Sequence, residues 1–385
     1  GVMNRLYQAF ADAREPILDL IDTNFHRCGF RFPAAPLAAA FADYLAARSY
    51  DPDPLGSVAA RDAIADYYRS AGVAADRERI LLTASTSEAY RLLFTVLCRP
   101  GDAVALPWPS YPLFEHLAEH QSLRPVYYRA EPGNDFALSA ESVERALVDD
   151  VRALVLISPN NPTGQVASEQ TVRDVVAVCT DRRIPIICDE VFVDLSEVPV
   201  PRPAGIAGPE AVVYTLNGCS KMFASPDIKL AWILATGGED ETFRHSWEAL
   251  AVANDMYLDC SPIAQHLLPT LFSQGRPFVG RMRNEVSMRR RTLRKELEDC
   301  PGGRLIRPEA GVHALFALDP GRRGSPVDDE EVAVDLIQKE RLFVHPGYLY
   351  GLEGDAYLVL SCLPPADRIR EGCRRLRRYL KRRRG

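Results

Sequence analysis

The stretch VRALVLISPNNPTG, residues 151–164, decides the fold class of this 385-residue chain. Its first half is an almost uninterrupted apolar run, and its second half is a turn rich in Asn, Pro and Gly. A strand that is apolar at nearly every position is typical of a parallel sheet covered on both faces, because neither face meets water. The stretch therefore predicts a buried parallel strand that ends in a loop.

Similar apolar runs recur along the chain, with segments of helical period between them. The runs are RILLTAS (79–85), DAVALPWPSYP (102–112), RIPIICDEVF (183–192), VVYTLNG (212–218) and IKLAWILA (228–235). This alternation predicts an α/β fold, with a mostly parallel central sheet flanked by helices.

The pattern changes at around residue 270. A long charged helical stretch leads there to two further strands, VHALFAL (312–318) and AYLVLSCL (356–363), which predict a smaller α+β C-terminal domain. We therefore divide the chain into a large domain, 31–270, and a small domain, 271–385. Residues 1–30 are expected to pack with the small domain and the mouth of the active site.

Composition argues against several classes of protein. The net charge of −6 does not suit a general nucleic-acid binder. No apolar run reaches the roughly 18 residues that a membrane span needs, and no secretory leader is recognisable. The nine cysteines are scattered without a CxxC pair, which predicts buried thiols in a reducing compartment. We expect a cytoplasmic protein without nucleic-acid or membrane partners.

Polar side chains follow the predicted strands at the points where the strands end. They are Ser85, Thr86, Ser87, Tyr111, Asn160, Asn161, Asp189, Ser220 and Lys221. In open α/β sheets, ligands bind where loops leave the carboxyl ends of strands. We therefore expect these residues to form one site.

The chain has only five lysines, and two of them, Lys221 and Lys229, lie in GCSKMFASPDIKLAW (218–232). An arginine stays protonated, whereas a desolvated lysine can lose its proton and attack a carbonyl group. One of these lysines is thus a candidate for covalent chemistry. Together with a buried carboxylate, an aromatic ring and phosphate-sized donors, it forms the set of groups that pyridoxal phosphate requires.

Seven segments in order resemble the class I/II aminotransferases, which are fold-type I pyridoxal-phosphate enzymes. The segments are SYDPDPLGSVAARDAIADYY (49–68), TASTSEA (83–89), RPGDAVALPWPSYPLF (99–114), SPNNPTG (158–164), CDEVF (188–192), CSKMFASPDIKLAW (219–232) and HPGYLYG (345–351). Any one of these motifs is weak, but the ordered set is specific.

The resemblance implies a role for each matching residue. Lys221 would form the Schiff base with the cofactor and move the substrate proton. Asp189 would pair with the pyridine nitrogen, Asn161 would donate to the phenolic oxygen, and Tyr111 would stack on the ring. The phosphate would be held by Thr86, Ser87, Ser220, Lys229 and, from the neighbouring subunit, Tyr50. The resemblance thus implies an obligate homodimer.

Lys229 stands where the family more often has an arginine, and the sequence departs from the family's pattern at two further positions that matter for function. Phe192 stands where the family usually has a tyrosine that donates to the phenolic oxygen of the cofactor. Val359, in LVLSCL (358–363), stands where an arginine usually binds the substrate carboxylate. Arg27, in the N-terminal stretch IDTNFHRCGFRFP (21–33), is our candidate for a replacement cation, although an exposed loop arginine needs no such role.

The resemblance implies an aminotransferase acting on an amino acid or a related primary amine through Lys221. Because Val359 removes the usual carboxylate clamp, a decarboxylase, a C–S (β-elimination) lyase or a decarboxylating oxidative deaminase with the same cofactor is the alternative. A catalytically silent sensor that binds pyridoxal phosphate is a third possibility, which the intact Lys221 disfavours. HLAEH (116–120) matches a zinc-peptidase pattern but has no evident third ligand, and we expect no metal site.

Overall fold

The computed structural model describes residues 5–13, 15–48, 50–258, 260–320, 326–352, 354 and 356–384. The strands in these ranges are β1 (Leu18–Asp19), β2 (Ile80–Thr83), β3 (Ala103–Trp108), β4 (Arg124–Arg129), β5 (Val151–Ile157), β6 (Ile186–Asp189), β7 (Val213–Gly218), β8 (Ala231–Thr236), β9 (Gly303–Leu305), β10 (His313–Leu318), β11 (Leu342–Phe343), β12 (His345–Pro346) and β13 (Tyr357–Ser361).

The α-helices in the same ranges lie between and around these strands. They are α1 (Arg5–Ala11), α2 (Ala34–Ala47), α3 (Val58–Ser70), α4 (Thr86–Leu97), α5 (Leu113–His120), α6 (Ala140–Ala146), α7 (Glu169–Asp181), α8 (Pro203–Ile206), α9 (Cys219–Met222), α10 (Glu241–Asp255), α11 (Pro262–Leu297), α12 (Asp329–Glu340) and α13 (Ala366–Arg384).

A seven-stranded sheet in the order β2-β8-β7-β6-β5-β3-β4 forms the centre of the molecule. Its inner strands are buried at nearly every position because helices cover both faces. Alternate residues of β5 enter different cores: Leu154 and Leu156 join one hydrophobic cluster, and Ala153 and Val155 join another. The predicted α/β class with a mostly parallel central sheet is confirmed.

Strand β8 differs from the prediction, because it runs antiparallel to both β7 and β2. Its six residues are all buried, so its apolar pattern is the same as that of a parallel strand. The apolar pattern shows that both faces of a strand are buried, but it does not show in which direction the strand runs. The reversed direction pairs Ala231, the first residue of β8, with Gly218, the last residue of β7. The residues that precede β8 therefore lie at the same sheet edge as the carboxyl ends of the parallel strands.

A second, four-stranded antiparallel sheet, in the order β12-β13-β10-β9, belongs to the C-terminal part of the chain. Helices α12 and α13 contribute Leu336, Ile337 and Leu376 to the separate hydrophobic core beside this sheet. The predicted smaller α+β domain is confirmed.

The N-terminal segment packs mainly on this small domain. Strand β1 pairs in parallel with β11, and Leu20 enters the small-domain core. Further along, Phe25 joins the core of the large domain, and Thr23 reaches the cavity described below. Helix α11 runs without a break through residue 270, so the division of the chain at residues 30 and 270 stays a prediction.

None of the helices in the described ranges is long and apolar enough to cross a membrane. All nine cysteines are buried thiols, as the sequence predicts.

Candidate active site

A cavity of about 320 Å³ lies at the carboxyl-end edge of the central sheet. Its lining includes most of the residues that the sequence predicted for one site. These are Ser85, Thr86, Ser87, Tyr111, Asn161, Asp189, Phe192, Ser220, Lys221 and Lys229. The residues come from loops that are far apart in the sequence, and the sheet brings those loops to one edge.

Three predicted residues, Tyr50, Arg27 and Asn160, lie outside this lining. Tyr50 is 67% exposed in the single chain. Arg27 is exposed, and its guanidinium donates two hydrogen bonds to the Asp22 carboxylate, from Nε to Oδ2 at 3.0 Å and from Nη2 to Oδ1 at 2.8 Å. The role of Tyr50 requires a second subunit, and the substrate role of Arg27 stays a prediction.

The N-terminus of α4 provides backbone donors at one end of the cavity. Ser85 caps this helix, because its hydroxyl accepts a hydrogen bond from the backbone N–H of Glu88 at 3.1 Å. Thr86 and Ser87 occupy the first turn, where backbone N–H groups have no intrahelical acceptor. A helix N-terminus with two hydroxyl groups attracts an anion such as a phosphate group.

Lys229 adds a cation near this end of the cavity. It lies two residues before β8 and adopts a left-handed backbone conformation, with φ of 55°. Its side chain is exposed, and it lines the cavity with Ser220 of α9. The reversed direction of β8 is what carries a residue preceding this strand to the site.

Asp189, the last residue of β6, is buried in the floor of the cavity. Its Oδ1 accepts a hydrogen bond from the backbone N–H of Val191 at 3.1 Å, and its Oδ2 accepts one from the Tyr90 hydroxyl at 3.0 Å. Burial raises the pKa of Asp189 to about 6, while these hydrogen bonds and the charge of Lys221 partly offset that rise.

Lys221 lies in the short helix α9, directly after β7, and part of its side chain faces the cavity. Desolvation lowers the pKa of Lys221, and the charge of Asp189 opposes that shift. Its Nζ lies 5.7 Å from the centre of the Phe25 ring. A lysine in this environment loses its proton more readily than an exposed lysine, as nucleophilic chemistry requires.

Asn161 leaves an unused hydrogen-bonding atom in the cavity wall. Its Oδ1 is buried and has no hydrogen-bond partner among the described residues. Buried polar atoms in folded proteins are nearly always paired, so an orphan in a cavity wall indicates a bound group. Asn160 is different, since its Oδ1 accepts hydrogen bonds from Thr163 and thereby shapes the turn.

The two further departures from the family pattern are both buried apolar residues. Phe192 is in the cavity lining, where its ring offers no hydrogen-bond donor. Val359, in the middle of β13, is fully buried.

Sequence reasoning missed three polar residues of the lining: Thr23, Tyr90 and His313. Tyr90 could have been found, because it lies four residues after Thr86 and therefore on the same face of α4. Thr23 and His313 belong to the N-terminal segment and the small sheet, and no local pattern connects them with the large domain.

The histidines of HLAEH do not form a metal site. His116 is exposed, and its Nδ1 lies 3.5 Å from Glu119 on the same helix. No group of three His, Cys, Asp or Glu side chains suited to a metal ion occurs among the residues that the structure describes.

Comparison with known proteins agrees with this geometry. The family described as aminotransferase class I and II matches residues 42–376 of the chain. A tyrosine aminotransferase of Caenorhabditis elegans is 24% identical over 328 residues, which cover 83% of this chain and 70% of the relative. An arginine–pyruvate transaminase of Pseudomonas aeruginosa is 27% identical over 349 residues, which cover 90% of this chain and 86% of the relative.

Solved structures show the same fold. An aminotransferase from Escherichia coli matches with a TM-score of 0.90 at 22% identity, over 100% of this chain and 96% of that chain. An alanine aminotransferase from Pyrococcus furiosus also matches with a TM-score of 0.90, at 23% identity, over 98% of this chain and 95% of that chain.

Proposed function

We propose that this chain, which belongs to the class I and II aminotransferase family and is a transferase, uses pyridoxal phosphate bound in the cavity around Lys221. With this cofactor it moves an amino group from a small primary amine to a keto acid. The donor loses its amino group and a hydrogen atom from the same carbon. The acceptor gains both and gives its carbonyl oxygen to the donor, so no external oxidant is needed. The observation that carries the proposal is that the desolvated amine of Lys221 and the buried carboxylate of Asp189 line one cavity.

The residues of the cavity fit this cofactor. The α4 N-terminus, Ser220 and Lys229 suit a phosphate group, and Tyr111 suits the face of a planar ring. The Asn161 amide suits a polar ring substituent, because its Nδ2 would donate to a phenolic oxygen and its buried Oδ1, which has no partner among the described residues, could accept a hydrogen bond. Lys229 serves as a point charge in place of an arginine fork.

When bound, pyridoxal phosphate supplies a ring that accepts electrons from the carbon bearing the amino group. The Asp189 carboxylate would keep a proton on the ring nitrogen, and the hydrogen bonds from Val191 and Tyr90 fix the orientation of this carboxylate. Lys221 would hold the cofactor through Nζ. Once the substrate amine has displaced it there, the released Lys221 amine would take a proton from the substrate carbon and return it to a neighbouring atom. A desolvated amine is suited to both tasks, because it is more often neutral than an exposed lysine.

We also propose that the enzyme is a homodimer in which Tyr50 reaches the phosphate end of the partner's cavity. Exposed apolar side chains near Tyr50 support this arrangement. Val252, Met256, Tyr257 and Leu258 lie at the end of α10 and just beyond it. That end lies beside the loop of Tyr50, because Asn254 Nδ2 donates to the carbonyl oxygen of Pro54 at 2.8 Å.

The alternative functions keep the cofactor but break a different bond. Val359 favours them, because the usual orienting cation is absent at that position. Purified protein loaded with pyridoxal phosphate and offered amines together with keto acids separates the possibilities. Transfer of the amino group supports our proposal. Release of carbon dioxide or a thiol, or consumption of oxygen, without amino transfer would contradict it, and so would cofactor binding without turnover.

A further inference from the structure

The small-domain side of the cavity contains a histidine that the mechanism above does not use. His313 is the first residue of β10 and is only 8% exposed, yet it lines the cavity opposite the central sheet. Its Nδ1 is buried and has no hydrogen-bond partner among the described residues. A buried imidazole with an unused nitrogen at a cavity wall is placed to bind a polar ligand group.

The strand register relates His313 to the position of the missing arginine. His313 pairs with Ser361, and Val359 pairs with Leu315, between the antiparallel strands β10 and β13. His313 and Val359 therefore project from the same face of the small sheet as diagonal neighbours, at the roughly 7–8 Å typical of such positions. His313 thus lies within reach of the space that an arginine side chain at 359 would enter.

Two aromatic side chains, Tyr350 and His345, lie near His313 on this part of the sheet. The ring of Tyr350 packs against His313 with a centroid distance of 6.1 Å. His345 is paired with Val359, and its Nδ1 lies 3.1 Å from the Tyr350 hydroxyl. Tyr350 also connects to the cofactor side, since its carbonyl oxygen accepts a hydrogen bond from the backbone N–H of Ser110, next to Tyr111.

The surroundings keep these imidazoles uncharged. Burial, together with the nearby His345 and Lys221, lowers the pKa of His313 to about 3. Burial lowers the pKa of His345 to about 4. The Tyr350 hydroxyl remains protonated, because burial raises its pKa well above the usual range.

The cations of the cavity are already assigned. Among the described lining residues, the lysine and arginine side chains are Lys221 and Lys229 alone, and both act on the cofactor in the proposed function. Arg27, outside the lining, is bound to Asp22. A substrate carboxylate placed at His313 would lose its hydration without gaining a counter-charge from this chain, which is unfavourable.

We propose that His313 forms a hydrogen bond to an uncharged polar group next to the amine of the substrate. The preferred amino donor is then a primary amine with a hydroxyl or carboxamide group where an amino acid has its carboxylate. This inference rests on the proposed aminotransferase function and specifies its substrate class. The hydrogen-bonding group is recognised but not consumed, so amino transfer would convert an amino alcohol into a hydroxy ketone.

The test compares matched pairs of amines that differ only at this group. The pairs are L-alanine and L-alaninol, L-tyrosine and L-tyrosinol, and L-arginine and L-argininol. Dissociation constants are measured by calorimetry on the cofactor-loaded Lys221→Ala protein, which does not turn the amines over. Single-turnover spectra of the loaded wild-type protein give the rates. In those pairs that bind, we expect the alcohol to bind at least about tenfold more tightly than the acid. The hydroxyl group gains one hydrogen bond, whereas the carboxylate also loses its hydration.

Variants of His313 identify the residue responsible. In His313→Phe, which retains the ring volume, the preference for the alcohol should disappear, whereas His313→Asn, which can still form a hydrogen bond, should retain most of it. His116→Phe replaces an exposed histidine on α5 and is the matched control. A circular-dichroism spectrum and an unchanged cofactor affinity establish that each variant is folded.

Several outcomes would overturn the inference. A preference for the amino acids in the wild-type protein would do so, as would an unchanged preference in His313→Phe. Loss of amino-acid binding in Arg27→Ala would assign recognition to Arg27 instead. If the loaded protein converts amino acids but not alcohols, the aminotransferase proposal stands and the role of His313 falls. If it converts no amine at all, both fall.

Discussion

On its large-domain side the cavity presents two lysines, a buried carboxylate and the hydroxyl groups at the start of α4, whereas on its small-domain side it presents His313 and Val312. The first side matches the family's motifs except at Phe192, where a tyrosine is usual, and at Lys229, where an arginine is more common. The second side has Val359 in place of the usual arginine, with neutral aromatic side chains around it. In the proposed function, cofactor chemistry and substrate recognition are therefore assigned to separate parts of this fold.

The largest effect on turnover is expected from removing the amine of Lys221 on the large-domain side. Lys221→Ala should lower turnover by at least about 10⁴-fold, because both covalent attachment and proton transfer depend on this amine. Lys229→Gln is the matched control, since it removes a cation of the same cavity but no nucleophile. We expect it to weaken cofactor binding while leaving turnover at saturating cofactor within about tenfold of wild type. Equal losses in the two variants would contradict the distinct roles of these lysines.

The burial of Asp189 predicts a pH effect on stability that needs no cofactor. The pKa in the folded chain is about 6, above the usual 3.8, so protonation of Asp189 favours the folded state. This contribution is complete below about pH 4 and is lost as the pH rises through about 6. Asp189→Asn should therefore gain stability relative to wild type over this interval, by ~3 kcal/mol for a shift of about two units.

Urea unfolding of the cofactor-free proteins at a series of pH values measures this difference. Asp227→Asn removes an exposed carboxylate close to α9 and serves as the control. If the free energies of unfolding of wild type and Asp189→Asn differ by the same amount at every pH from 4 to 7, the pKa of Asp189 is not raised by burial.

Tyr50 tests whether the large-domain side is completed by a second subunit. Tyr50→Phe should raise the dissociation constant of the cofactor by about 10- to 100-fold, as expected for a lost hydrogen bond to a charged group. Mixing Tyr50→Phe with Lys221→Ala subunits should restore wild-type affinity at one site per hybrid dimer. That site takes Lys221 from one subunit and Tyr50 from the other. No recovery on mixing would show that Tyr50 does not act across an interface.

Phe192 is a position on the large-domain side where the sequence lacks a hydrogen-bond donor that the family usually has. Phe192→Tyr would add a hydroxyl that donates to the phenolic oxygen of the bound cofactor. The pKa of the Lys221-linked cofactor should then fall by about one unit, since the donor stabilises the deprotonated form. Absorbance titration of the loaded protein measures this shift. An unchanged or higher pKa would argue against this placement of Phe192.

The large-domain side could be predicted from sequence because its residues lie in short motifs at the ends of strands. Asp189 and Lys221 directly follow buried runs, so the edge of the sheet brings them together. The direction of β8 could not be predicted, since complete burial gives the same apolar pattern in parallel and antiparallel strands.

The small-domain side could not be predicted for a different reason. The position of His313 depends on its pairing with Ser361, 48 residues away in the sequence, and on how the small sheet packs beside the large one. Because this strand pairing joins residues that are distant in the sequence, the sequence around His313 contains no pattern that would predict its position. Thr23 enters the site through the pairing of β1 with β11, which is equally non-local.

The proposal that Lys221 binds the cofactor is tested most directly by finding which of the five lysines carries it. The loaded wild-type protein is treated with borohydride, which makes the lysine–cofactor bond permanent, and its peptides are then mapped by mass spectrometry. We predict one reduced cofactor per chain, attached to Lys221, in the peptide that also contains Met222 and Phe223. A label on Lys229 or on any lysine outside the cavity, or no label on a protein that retains the cofactor, would contradict it.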